Sequence, residues 1–216
     1  MPRTSVPPLK ERVPEVIRLL SERHADAHCE LNFSNAYELI VSVILSAQCT
    51  DKRVNLVTPA LFERYPSVEA LAEAEQGELE GIIHSTGFYR SKAKNLIGMA
   101  QRVVSHYEGR IPDEMEELVT LSGVARKTAN VVLGDWYDKQ EGFTVDTHVT
   151  RITRKLGFTR HRDPIKIEKV MMKLVPREQW TLFAHVLVFH GRRICIARRP
   201  KCEECPVNHL CPSSEV

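Results

Sequence analysis

No run in this 216-residue chain is apolar for long enough to cross a bilayer, so the sequence predicts a soluble protein rather than a helical membrane protein. The opening stretch, MPRTSVPPLKER, has no apolar core and is interrupted by Pro2, Pro7 and Pro8, so it reads as neither a secretory signal nor a transit helix. The expected setting is cytoplasmic and reducing, where disulfides do not persist. Neither sign of charge dominates: 30 Lys and Arg against 28 Asp and Glu leave +2. Net charge therefore announces no nucleic-acid partner. Alternating strands joined by a hairpin turn are missing, as are low-complexity segments and repeats of fixed period. Long linkers are missing too. The short connections near Pro66, Gly87, Gly109–Pro112, Gly142 and Gly157 mark no domain boundary.

What is present is helical periodicity over nearly the whole length, and the predicted fold is all-α with about ten helices. In residues 9–23 Val13, Ile17 and Leu20 share a face, with Pro14 expected in the first turn or at a break. Residues 35–48 are apolar nearly all round from Leu39 to Leu45, which predicts a central buried helix. Further helices are expected over 51–65, 67–84, 90–107, 113–121, 126–137, 146–157, 163–175 and 177–190, many preceded by Asp, Ser or Thr as N-caps.

Of six cysteines, four fall within residues 195–211, spaced Cys195-x6-Cys202-x2-Cys205-x5-Cys211 and stiffened by nearby prolines. Four thiols in one short loop of a reduced protein read as a metal site. Zinc and an iron–sulfur cluster both stay open on spacing alone, because only one Cys-x2-Cys knuckle is present and no ferredoxin spacing matches. Cys29 and Cys49 are expected to be buried structural thiols in helices. Around the loop, HGRRICIARRPK concentrates Arg198, Arg199 and Lys201 with Arg192 and Arg193 and no acid.

The stretch LVTLSGVARKTANVVLGDWY, 118–137, places a tight turn at Ser122–Ala125 between two helices. A turn into a helix N-terminus offers backbone N–H groups and the positive dipole end, which suit a phosphate. Such a pair can grip a DNA backbone without reading bases. Lys127 lies in the first turn of the second helix. A cation is disfavoured at that end, and the neutral amine is the nucleophilic form of lysine. In FTVDTHVTRI, Asp146 precedes another helix, as an N-cap or as an acid that exchanges a proton with the lysine.

Together, LSGVARKTANVV, VDTHVTR and the four-cysteine loop resemble the endonuclease III family of helix–hairpin–helix DNA glycosylases, with support from LNFSNAYELIVSVILSAQCTD and TGFYRSKAKNL. The resemblance spans about residues 30–211 and implies two helical lobes with DNA bound across the cleft between them. One lobe is a six-helix barrel over 29–140, carrying the hairpin. The other, 1–28 with 141–216, holds a [4Fe-4S] cluster on Cys195, Cys202, Cys205 and Cys211. The implied activity is excision of oxidised pyrimidines from duplex DNA, with strand nicking 3′ to the abasic site by β-elimination. Lys127 is the implied Schiff-base nucleophile and Asp146 its acid–base partner. Gln48 and Phe88 are the implied wedges into the base stack, Phe88 being equally readable as core packing. Gly123, Ala125, Arg126, Arg198, Arg199 and Lys201 are implied backbone contacts. The protein is expected to act as a monomer. Family hairpins usually read Leu-Pro-Gly-Val-Gly. Here Ser122 and Ala125 replace the proline and second glycine, and alanine would cost about 1 kcal/mol if that position required a positive φ. A lysine at 127 separates this chain from mismatch adenine glycosylases, which lack it, and from mismatch thymine glycosylases, which carry tyrosine there. The rival from another class is a zinc-stabilised DNA-binding protein without catalysis.

Overall fold

The computed structural model describes residues 6–216; Pro2 and the rest of the first five residues lie outside it. Eleven α-helices and four short 3-10 turns, with no strand, make up the described residues. They fall into two compact units, one formed by the chain up to Cys29 with Gly142–Val216 and the other by Glu30–Glu141.

The unit Glu30–Glu141 is built around α2 (Ala36–Leu45), whose Leu39, Ile40, Val41 and Leu45 have no solvent exposure. Asn35 starts it by accepting the amide of Glu38 at 2.9 Å. Thr50 caps α3 (Asp51–Arg64) in the same way. The helix expected over 67–84 is two helices, α4 (Val68–Ala72) and α5 (Gln76–Ile83). A second cap explains the break: the Glu75 carboxylate accepts the amide of Glu78 at 2.7 Å and restarts the helix after three residues. The long α6 (Tyr89–Tyr107) packs against α4, α5 and α2. The stretch expected as a helix over 113–121 shortens to one turn, α7 (Met115–Leu118), before the hairpin and α8 (Arg126–Asp135).

In the other unit α1 (Leu9–Arg23) runs straight through Pro14, its sixth residue, rather than stopping there. Proline removes one helical hydrogen bond. Burial of Val13, Val16, Ile17 and Leu20 offsets that loss, each fully buried side chain contributing about 1.5–3 kcal/mol. The same core takes Val149 and Ile152 of α9 (Thr147–Lys155), Ile167 and Met171 of α10 (Pro164–Leu174), and Phe183 and Leu187 of α11 (Trp180–Arg193). α9 and α11 approach closely at Gly191, where a Cβ would come within 2.7 Å of His148 Nδ1 and 2.8 Å of Ile152 Cδ1. Cys29 lies in the irregular segment after α1 and Cys49 in the bend before α3; both are half-buried outside helices, not core thiols.

Candidate active site

The hairpin is anchored by the buried Leu121 and Val124, and the Val124 amide closes the turn on the Leu121 carbonyl at 3.1 Å. Gly123 has φ +76°, and a Cβ there would meet Asn95 Cβ at 2.9 Å, so both conformation and space require glycine. Ala125 is extended, φ −91° and ψ 170°, so the alanine is unstrained where the family has glycine. It is the N-cap of α8 and has no side-chain oxygen to occupy the first-turn amides. Ser122, Ala125, Arg126 and Lys127 are exposed. Lys127 is the second residue of α8. The helix buries Ala129, Asn130, Val132 and Leu133, which turns the lysine to solvent. Arg126 donates from Nη2 to the Glu141 carbonyl at 3.3 Å, which fixes one edge of its guanidinium beside the hairpin.

Asp146 belongs to the other unit. It is the N-cap of α9, where Oδ1 accepts the Val149 amide at 2.8 Å. Capping occupies one oxygen and holds the half-buried carboxylate in one orientation, so cap and catalytic acid are compatible roles for the same group. α9 is in turn fixed by Arg151, whose Nη2 donates to the carbonyls of Gly191 at 3.0 Å and Cys195 at 2.8 Å.

Gln48 and Phe88 share an unusual geometry. Gln48 follows the end of α2 with φ 53°, and Phe88 precedes α6 with φ 49°. Both are exposed, Phe88 to 65%, so it is no core residue. A bulky residue in the left-handed region costs on the order of 1 kcal/mol and persists only where its surroundings hold it.

The four loop cysteines are half-buried and line one cavity with Ile152, Leu156, His190 and Ile194. The loop has only two 3-10 turns, Cys202–Glu204 and Asn208–Leu210. The guanidinium of buried Arg12 anchors it by donating to the Leu210 carbonyl at 3.1 Å. Burial, reinforced by the neighbouring thiols, pushes Cys195, Cys205 and Cys211 up, Cys205 to about 11. A metal centre bound there would stabilise the thiolate form of such thiols. Among the described residues no three Cys, His or acids converge on a point for a single ion. Four sulfurs lining one cavity fit the ligand set of an iron–sulfur cluster. His190, missed in the sequence, places Nε2 at 3.8 Å from Cys205 Sγ and Nδ1 at 3.1 Å from His24 Nε2, a buried pair whose only sequence signal is a histidine on an apolar helix face.

Arg198 and Arg199 are exposed. The basic run is less uniform in space than in sequence. Arg193 forms a two-pronged pair with Asp26 at 2.8 and 2.9 Å, and Lys201 reaches Glu204 at 3.4 Å. Lys201 is thus the weakest of the three candidate phosphate contacts.

An all-helical fold, a glycine hairpin opening onto an exposed lysine and a four-cysteine loop define a class. The family model described as "HhH-GPD superfamily base excision DNA repair protein" matches residues 41–177, and the "Iron-sulfur binding domain of endonuclease III" matches 195–211. The chain is 50% identical to "Endonuclease III" of Synechocystis sp., covering 95% of this chain and 94% of that one. It is 45% identical to the Bacillus subtilis protein of the same name, covering 86% and 84%. The solved "Structure of a non-covalent Endonuclease III-DNA Complex" superposes with TM-score 0.90 at 40% identity over 95% of this chain and 96% of that one. A thermostable thymine-DNA glycosylase at 22% identity and TM-score 0.83 shares the fold. The chain belongs to the endonuclease III family, DNA-binding base-excision-repair enzymes that combine DNA glycosylase and AP lyase activity and carry a [4Fe-4S] cluster. No described helix is long and apolar enough to cross a membrane.

Proposed function

We propose that the substrate is duplex DNA carrying an oxidised pyrimidine or an abasic site, processed by the monomer in the cytoplasm, and that Lys127 and Asp146 perform the chemistry. The observation that carries this reading is the exposed Lys127 at the entry to α8, one turn past a hairpin whose geometry demands Gly123. A base must leave the stack before its glycosidic carbon can be reached. Gln48, exposed at its turn, fills the space it vacates, and Phe88 is the wedge on the opposite strand. The uncapped first turn of α8 and Gly123, with Arg126, Arg198, Arg199 and Lys201, hold phosphates.

In this reading Lys127 acts as the free amine and Asp146 as the acid–base group. The amine bonds to C1′ as the glycosidic bond breaks, and the base departs with the electron pair and a proton. Ring opening gives the protonated Schiff base, loss of a C2′ proton follows, and the 3′ phosphate leaves. Cys195, Cys202, Cys205 and Cys211 would hold the [4Fe-4S] cluster, which would fix the loop that presents Arg198 and Arg199 and supply no bond-breaking chemistry.

Lys127→Gln is expected to keep fold and DNA binding while abolishing strand nicking and the borohydride-trapped covalent complex. Asp146→Asn is expected to slow base release by roughly 10²–10⁴-fold, the usual worth of a positioned acid–base group, with lesion binding kept. A trapped complex formed by Lys127→Gln would assign the nucleophile to another amine.

A further inference from the structure

Lys92 is buried, 4% exposed, on the α6 face that also carries Ala93, Leu96, Met99, Ala100 and Val103. Its Nζ donates to the Leu45 carbonyl at 2.8 Å and to the Thr86 carbonyl at 2.9 Å. Leu45 is the last residue of α2, three before Gln48. Thr86 closes the 3-10 turn His84–Thr86, two before Phe88. One ammonium therefore ties together the two segments that deliver the two left-handed, exposed wedge candidates.

No carboxylate is paired with this ammonium, and burial lowers its proton affinity, with only the Cys49 thiol opposing. A buried unpaired charge is expensive, and an apolar side chain of similar length would fill the space more cheaply. What the lysine supplies and a methionine does not is a pair of directed hydrogen bonds to two chain segments 41 residues apart. Gly87 and Phe88 both have positive φ, 71° and 49°, and the left-handed Phe88 persists only when its surroundings hold it.

We propose that Lys92 is a positioning residue that fixes the spacing of the Gln48 and Phe88 turns, so that both wedges meet the base stack already in register. This rests on the reading of Gln48 and Phe88 as wedges. Pre-setting the two turns spares the ordering cost at the moment of base extrusion, when misplacement is most costly in rate.

The test uses cluster-loaded protein and a lesion duplex with 2-aminopurine beside the target, whose fluorescence reports extrusion, followed under single turnover. Gln48→Ala and Phe88→Ala are each expected to slow extrusion. Lys92→Met is expected to slow it on the order of tenfold or more, with affinity for undamaged duplex and nicking of a preformed abasic strand nearly unchanged. In the Gln48→Ala/Phe88→Ala background Lys92→Met is expected to add little, because a residue acting through the wedges has nothing left to position. Lys92→Gln, which keeps a donor, serves if the Met variant does not fold, and is expected to be intermediate. Wild-type extrusion rates in the Lys92 variants, or a slowing that multiplies fully with the loss of the wedges, would overturn the positioning role while leaving the wedge reading intact. Normal extrusion by both Gln48→Ala and Phe88→Ala would overturn the wedge reading, and the positioning role with it.

Discussion

The Glu30–Glu141 unit and the loop 195–211 solve the same problem by opposite means. Each must hold exposed side chains in a fixed place. In the first, Gln48, Phe88 and Lys127 stand at turns between helices whose caps are side chains or tight glycine geometry, above a core including Leu39, Ile40, Leu96 and Leu133 with no exposure. In the second, Arg198 and Arg199 ride on a loop with two 3-10 turns and few apolar side chains, of which Val207 and Leu210 are buried. Packing fixes the one. In the proposed reading, four cysteine–iron bonds would fix the other, together with an arginine on the Leu210 carbonyl. Side chains on a loop with few apolar residues can be held in place when covalent ligation supplements burial.

Removing the cluster should break the comparison most. Iron stripping, or Cys202→Ser, is expected to lower DNA affinity on the order of tenfold or more, as several phosphate contacts are lost together. Amide exchange should quicken across 195–211 and stay slow in α2 and α8. Equal loosening of both regions would show that they are not independently held. Gly123→Ala strikes the other side. A positive φ costs about 1 kcal/mol and the Asn95 contact must give, so melting of the Glu30–Glu141 unit and DNA affinity should both fall while the visible absorption of the cluster is unchanged. Unchanged affinity would remove the hairpin from the interface. The smallest effects sharpen the picture within the loop. Arg198→Ala or Arg199→Ala should each flatten the salt dependence of binding by about one unit, equally on all duplexes. Lys201→Ala should do less, because its charge is already shared with Glu204. An equal effect at all three would mean that the Lys201–Glu204 pair opens on DNA.

The helices were legible wherever caps and apolar stripes coincided, as at Asn35 before α2 and Asp146 before α9. They were misjudged where a local feature met a competing one. Pro14 was expected in the first turn or at a break, yet it stands sixth in α1, where four buried apolar side chains outweigh the lost hydrogen bond. The stretch 67–84 looked continuous, yet Glu75 makes a second cap inside it. At the site, the doubt about Ala125 dissolved because only Gly123 needs the left-handed region. Lys92 was readable in principle, being in step with Leu96, Met99 and Val103 on the buried face of α6, but a lysine on an apolar stripe does not reveal which carbonyls it meets.

The sequence by itself determined the all-helical fold and the chemistry it carries. Helical period, capping residues, the glycine before Lys127 and the four-cysteine spacing are local properties that neighbouring residues suffice to impose. Tertiary structure alone decided that Gln48 and Phe88 adopt left-handed turns and that Lys92 ties those turns together. It also decided that Asp26 pairs with Arg193 and that His24 backs His190 behind Cys205. These contacts join residues up to 167 positions apart. Their hydrogen bonds and ion pairs depend on distance in space, which no period or spacing along the chain encodes.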